Sequence, residues 1–121
     1  MQGADIQRIA IEAAERLPAA ESSYPFGPAH QVYKVCGKVF LLLTVLRGVP
    51  IITLKCQPQQ AELHRAIYPS ITAGYHMNKQ HWITVYPGDA LSEGLIQQLV
   101  DDSYQQVVKG IPASRRPVWV G

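Results

Sequence analysis

The middle of this chain is nearly empty of acidic residues. Between positions 22 and 88 the sequence contains six lysines and arginines but one carboxylate, Glu62. A hydrolase that uses paired carboxylates needs two acids converging on one bond, so this scarcity argues against that class. The regions on either side, 1–21 and 89–121, each carry more acidic than basic side chains. A basic centre between acidic ends predicts one positive face with a polyanion as its partner, or else a solvated surface whose imbalance has no function.

Long apolar runs and leader segments are also missing. No segment approaches the roughly 18 apolar residues that span a bilayer, so we expect no membrane partner. Residues 1–6 lack the basic and apolar regions of a secretory signal. Two cysteines without a secretory signal are typical of free thiols in a reducing compartment. These absences predict a cytoplasmic protein.

The sequence lacks the patterns of the common catalytic and cofactor sites. Its glycines are isolated, so no dinucleotide-binding or phosphate-binding loop is present. His76 and His81 are five residues apart, and neither they nor Cys36 and Cys56 have a zinc-binding spacing. No nucleophile has a visible acid or base partner. We therefore predict no catalytic residues, no metal site and no cofactor, with an unrecognised enzyme as the least favoured alternative.

Hydrophobic periodicity predicts a single α+β domain over residues 1–121, with an antiparallel sheet of about four to five strands and helices packed on it. Helices are expected over 5–17, with Asp5 as N-cap, over 58–67, and from Ser92 to about 109. Residues 19–30 should be irregular, with Tyr24 and Phe26 held in the core. The second helix should turn Leu63, Ala66 and Ile67 inward. The predicted strands are Gln31–Cys36, Val39–Leu46, Ile51–Cys56 and Trp82–Tyr86.

The connector 72–82 holds the densest group of side chains able to bind something. Two histidines, an amide, a lysine and two large aromatics lie between Tyr75 and Trp82. Ordinary loops are built from small polar residues, glycine and proline. These side chains must therefore be buried under the loop or presented to a partner, and both interpretations are open.

Three short segments make the chain resemble a known family. Lys55-Cys56-Gln57-Pro58 is followed by Tyr68-Pro69 and then by His76-Met77-Asn78-Lys79-Gln80-His81-Trp82. This order and spacing resemble the MmcQ/YjbR family, from the first helix to about Arg116. The resemblance implies a CyaY-like fold, similar to frataxin and to the double-wing DNA-binding domain of a phage transcription factor. The DNA-binding label of the family is an analogy of fold.

Two functions are therefore expected. The first is DNA binding, with lysines and arginines on phosphates, polar loop side chains on base edges, and aromatics stacked on unpaired bases. The second is a small-ligand or protein-interaction module with a pocket at the 72–82 loop. No oligomeric state is predicted. The candidate nucleic-acid-binding residues are Lys34, Lys38, Lys55, Arg65, Tyr75, His76, Asn78, Lys79, His81 and Trp82.

Overall fold

The described residues form three helices and six strands. The structure is a computed structural model that describes residues 1–74, 78 and 80–117. The elements in chain order are α1 (Gly3–Glu15), β1 (Ala20–Ser23), β2 (Gln31–Val35), β3 (Lys38–Leu46), β4 (Val49–Lys55), α2 (Pro58–Ile67), β5 (Ile71–Ala73), β6 (Trp82–Val85), α3 (Glu93–Lys109) and a 3-10 turn (Ala113–Arg115).

The strands form one antiparallel sheet in the order β1-β2-β3-β4-β6-β5. Two-residue turns, Cys36-Gly37 and Arg47-Gly48, join β2 to β3 and β3 to β4. All four of these residues have positive φ, which is typical of the tight hairpin turns that match the twist of the flanking strands. These turns fix the register of the central strands, and the predicted strand ends agree with the observed ones to within two residues.

The core lies between one face of the sheet and the helices. Alternate residues of the central strands, such as Leu43, Ile52 and Val85, are buried on this face. The apolar stripes of α1 and α3 pack on them, and Ala61 of α2 joins the same cluster. Since the described helices all contribute to this core, we call this side the inner face. The opposite side, which carries Lys34, Leu42, Thr53, Lys55 and Trp82, is the outer face.

The sheet has six strands, not four to five. The prediction missed β5, and it missed β1, which lies in the segment expected to be irregular. β1 reads Ala-Glu-Ser-Ser, a sequence with no apolar alternation, and it is ordered by pairing with β2. The prediction that Tyr24 and Phe26 are held in the core was also wrong, because their side chains are 53% and 71% exposed.

The predicted inner face of α2 was wrong as well. Leu63 is 51% exposed, Ile67 is 55% exposed and Ala66 is exposed, whereas Ala61 is the buried residue of this helix. The physical reason is position: α2 contacts the short edge strand β5 and does not lie across the centre of the sheet.

At α1 the helix begins at Gly3, so Asp5 lies in the first turn and is not the N-cap. None of the helices built from described residues combines the length and apolar composition needed to cross a membrane.

Candidate nucleic-acid interface

Two of the predicted lysines lie on the outer face at one end of the sheet. Lys55 is paired with Trp82 across β4 and β6, and their neighbours Leu54 and Ile83 are fully buried on the inner face. Side chains alternate along a strand, so Lys55 and Trp82 point outward. Lys34 lies between two buried inner-face residues of β2 and points the same way.

Strand spacing gives the separation of these lysines. Tyr33, Leu41 and Leu54 are aligned across β2, β3 and β4, and Lys34 and Lys55 each follow this line by one residue at the same end of the sheet. Neighbouring strands lie about 4.8 Å apart, so the two lysine stems leave the sheet about 10 Å apart. We call the group Lys34, Lys55 and Trp82 the outer row. Its side chains are half-buried, and Glu21 of β1 lies opposite Lys34 at its end.

Other cations of the central segment are distributed unevenly around this row. Lys38 begins β3 beside the Cys36-Gly37 turn, at the same end of the sheet, and it is exposed. Arg47 is in the turn at the opposite end. The ion pairs among the described residues join Arg8 to Asp5 and Glu12 on α1, so the outer row takes no part in them.

A serine of α3 fixes the backbone at Lys55. The register of β2 and β3 shifts after Tyr33, which leaves Phe40 as an extra residue in β3. Ser103 Oγ donates a 2.6 Å hydrogen bond to the Phe40 carbonyl and accepts a 2.8 Å bond from the Lys55 backbone N–H. The hydroxyl thus bridges β3 and β4 where their direct pairing ends. Sequence reasoning missed this role; the available signal was one serine inside the apolar stripe of α3.

The connector after β5 is tied to the same end of the sheet by backbone bonds. The Cys56 N–H donates to the His81 carbonyl at 2.8 Å, and the Gly74 N–H donates to the Trp82 carbonyl at 2.8 Å. Asn78 is exposed, and its Oδ1 accepts a 2.9 Å bond from the Gln80 N–H. The Asn78 side chain thus accepts a bond from the backbone two residues further on, and among the described residues its Nδ2 has no hydrogen-bond partner.

Three predicted residues, Tyr75, His76 and Lys79, lie outside the described residues. His81 is exposed and lines an open cleft of about 510 Å³ with Gln57, Pro58, Gln59 and Gln106. Arg65 is on α2, half-buried on the inner side, and its Nη1 atom is buried without a hydrogen-bond partner among the described residues. The structure thus brings Lys34, Lys38, Lys55 and Trp82 to one end, with Asn78 and His81 beside them. Arg65 lies on α2 at the inner side, close enough to Cys56 to act on its thiol.

Cys56 follows Lys55 and lies in the core beneath this end of the sheet. Burial raises the pKa of the Cys56 thiol, and the Asp102 carboxylate adds to the shift while Arg65 opposes it, so Cys56 is a thiol at neutral pH. Within the described part of the chain, no three histidine, cysteine or acidic side chains come close enough to hold a metal ion. What this end offers is positive charge, an aromatic ring and hydrogen-bond donors.

The profile of the YjbR family matches residues 15–106. The chain belongs to the YjbR family. The resemblance drawn from the Lys-Cys-x-Pro and His-Trp motifs is therefore confirmed, and in the fold these motifs meet, because Lys55 pairs with Trp82.

Several YjbR-family relatives match most of this chain. The protein YbdF of Escherichia coli O157:H7 is 51% identical over 105 residues, which are 87% of this chain and 83% of YbdF. The protein YjbR of Escherichia coli strain K12 is 35% identical over 103 residues, 85% of this chain and 87% of YjbR. The crystal structure of Deinococcus radiodurans protein DR2400, with a domain named DUF419, matches with a TM-score of 0.78 at 30% identity, over 95% of this chain and 86% of that one.

Proposed function

We propose that this YjbR-family protein binds DNA through the basic end of its outer sheet face. The observation that carries the proposal is the outer row: Lys34 and Lys55 lie on one face, outside the described ion pairs, with the Trp82 ring beside Lys55. Two lysine stems that leave the sheet about 10 Å apart can direct their ammonium groups to phosphates of one strand. Contacts of this kind hold the backbone without selecting a sequence.

The remaining side chains at this end supply contacts to bases. The half-buried Trp82 ring offers a stacking surface to an unpaired base, an interaction worth about 1–3 kcal/mol. The exposed His81 ring and the Asn78 Nδ2 provide donors toward base edges. The frataxin-like, double-wing architecture implied by the resemblance and a cytoplasmic location belong to the same proposal.

The test is a titration of labelled duplex and single-stranded DNA at about 50 mM and about 200 mM salt. Lys34→Gln and Lys55→Gln should each weaken binding and reduce the slope of log K against log salt by about 0.9 for duplex or about 0.7 for a single strand. Arg47→Gln is the matched control, because it removes one exposed cation at the opposite end of the sheet. It should leave the slope unchanged.

Each arm of this titration has an outcome that contradicts the proposal. Binding that is absent near about 50 mM salt, or that does not weaken with salt, rules out phosphate contacts. If Arg47→Gln and Lys55→Gln lose the same amount of DNA affinity, then net charge, and not the outer row, attracts DNA. Trp82→Leu tests the stacking contact, because its loss should weaken the binding of single-stranded DNA more than the binding of duplex DNA.

A second function, a small-ligand module, is favoured by one observation. The exposed His81 of the 72–82 loop lines a cleft of about 510 Å³, within the range of ligand pockets. A thermal-shift screen with nucleotides and anionic metabolites tests this alternative. Stabilisation of the wild-type protein but not of His81→Ala is the expected result, and equal stabilisation of both proteins would exclude the site.

A further inference from the structure

A second cleft lies between α2 and α3 on the inner side of the sheet. Its volume is about 500 Å³, within the range of small-molecule sites. Gln60 and His64 of α2 form one wall, and Cys56 and Gln57 lie where β4 passes into α2. The other wall is a stripe of α3 at helical spacing: Gln98, Asp102, Gln105, Gln106 and Lys109.

The lining of this cleft is amide-rich and nearly neutral in charge. Five of the nine lining residues are glutamines, with one carboxylate, Asp102, and one ammonium, Lys109. Gln98 Nε2 already donates a 2.8 Å hydrogen bond to Asp102 Oδ1, which leaves four amides for a ligand. An anion would meet one cation here, and an apolar ligand would displace water from these amides without replacing its hydrogen bonds. The same lining suits a neutral ligand that carries both donors and acceptors.

His64 adds a polar atom without a partner. Its Nδ1 is buried and has no hydrogen-bond partner among the described residues. Burial lowers the pKa of the His64 imidazole, although Asp102 acts in the opposite direction, so the ring is neutral at neutral pH. A neutral imidazole has one donor and one acceptor nitrogen, and because Nδ1 is closed to solvent a ligand bonds it only after the ring turns toward the cleft. An unpaired buried polar atom costs stability unless a ligand or water satisfies it.

We propose that the cleft between α2 and α3 binds a nucleobase. A flat heterocycle with donors and acceptors along its edge matches glutamine amides, which pair with such edges through two hydrogen bonds. Gln57 and Gln106 also line the neighbouring cleft that contains His81, so a sugar attached to the base has a route outward. The base belongs to a free nucleoside or to an unpaired position of a nucleic acid.

The inference does not rest on DNA binding by the outer row. Its test is a titration of isotope-labelled full-length protein with the common nucleosides, with ribose and with inorganic phosphate, followed by NMR. We expect at least one nucleoside to shift the amide signals of the cleft, while ribose and phosphate do not. A short single strand and the same strand without its bases form the second arm. Signals that respond to the strand but to no nucleoside assign the base to a nucleic acid.

Variants on both walls test the assignment of the site. Gln60→Leu and Gln105→Leu each remove one amide and should weaken binding roughly tenfold or more. Gln97→Leu is the matched control, since Gln97 is a half-buried glutamine of α3 that does not line the cleft. Melting temperatures verify that each variant is folded.

Three results would overturn the proposal. The first is the absence of cleft shifts with every nucleoside and with the strand at millimolar concentration. The second is that ribose shifts the cleft signals as much as a nucleoside does. The third is that Gln97→Leu weakens binding as much as Gln60→Leu and Gln105→Leu do. Lys55→Gln should bind free nucleosides like the wild type even if it no longer binds DNA, so failure of one proposal is distinguishable from failure of the other.

Discussion

Ser103 is the single residue on which the geometry at Lys55 depends most directly. Its fully buried hydroxyl bonds both the Phe40 carbonyl and the Lys55 N–H. Ser103→Ala leaves these groups without that partner, so we expect the free energy of unfolding to fall by about 1–3 kcal/mol. Urea denaturation followed by circular dichroism measures the change. The exposed Ser114 is the control, and Ser114→Ala should stay within about 0.5 kcal/mol of wild type. If Ser103→Ala lowers the free energy of unfolding by a similarly small amount, the hydrogen bonds of Ser103 do not stabilise the fold.

Tyr33 makes the stability depend on pH in the alkaline range. Burial, followed by the nearby Glu15 carboxylate, raises the pKa of Tyr33 to about 12, and the Tyr33 hydroxyl lies 3.2 Å from Glu15 Oε2. An unfolded tyrosine ionises near pH 10. Between about pH 10 and 12 the native state therefore holds more protons, and its stability falls as the pH rises.

The expected result for Tyr33→Phe is a flatter stability curve above pH 10. Phenylalanine has no hydroxyl to ionise, so the stability advantage of the wild type over the variant should shrink as the pH rises from 9 to about 12. Urea denaturation of both proteins across this range measures the difference. A difference that stays constant with pH would mean that Tyr33 ionises equally in both states.

Among the elements, α1 approaches β4 more closely than a side chain allows. A Cβ atom added at Gly3 would lie 2.5 Å from the Pro50 carbonyl oxygen and 2.9 Å from Pro50 Cδ. Gly3→Ala should push the start of α1 off the strand and lower the free energy of unfolding by about 1–3 kcal/mol, although alanine favours helix. The control is Gly94→Ala in α3, where a Cβ meets nothing within 4 Å.

The two glycine variants should move stability in opposite directions. Gly94→Ala should stabilise the protein by about 0.5–1 kcal/mol, because it gains helix propensity without a clash. Thermal unfolding of both variants measures the effects. A stabilising Gly3→Ala would show that α1 can move away from β4 at no cost.

Elements with strong local signals could be predicted, and elements ordered by tertiary contacts could not. The helix α3 begins as expected, with Ser92 Oγ accepting a 3.1 Å bond from the Leu95 N–H. The long apolar strand β3 is central, as its composition predicts. By contrast, β1 is polar, and its strand conformation depends on pairing with β2. Which residues of α2 are buried depends on the position of this helix at the edge of the sheet.

Across the whole molecule, the charge pattern of the sequence becomes an arrangement in layers. The acidic ends form α1 and α3, which pack on the inner face, whereas the outer face carries Lys34 and Lys55 from the basic middle. The separation is incomplete, because Glu21 from the acidic N-terminal part lies opposite Lys34 on the outer face, and Arg65 from the basic middle lies on the inner side. A partner of the outer face therefore meets one carboxylate beside Lys34, whereas Lys55 has Trp82 as its cross-strand neighbour.

The types of residue in the candidate site could be predicted, but not their arrangement. The motifs around Lys55 and Trp82 mark the right region, yet their pairing depends on β6 lying next to β4, which local patterns do not encode. The cleft between α2 and α3 was missed for the same reason. Its walls, around His64 and Asp102, are far apart in the sequence. Taken separately, the sequence of each wall predicts only a helix face exposed to solvent.

The rates at which the two thiols react with a thiol reagent measure how often the fold opens. Cys36 is exposed in a turn, while Cys56 is 6% exposed within the core cluster and has a raised pKa. Because the thiolate is the reactive form, a thiol reagent should modify Cys36 quickly and Cys56 at the rate at which the structure opens around it. Cys36→Ser should remove the fast phase and leave the slow one, and urea should accelerate the slow phase until both thiols react alike in the unfolded chain. Fast modification of both thiols in native buffer would mean that the β4–α2 junction, which forms the floor of the proposed nucleobase cleft, opens independently of the core.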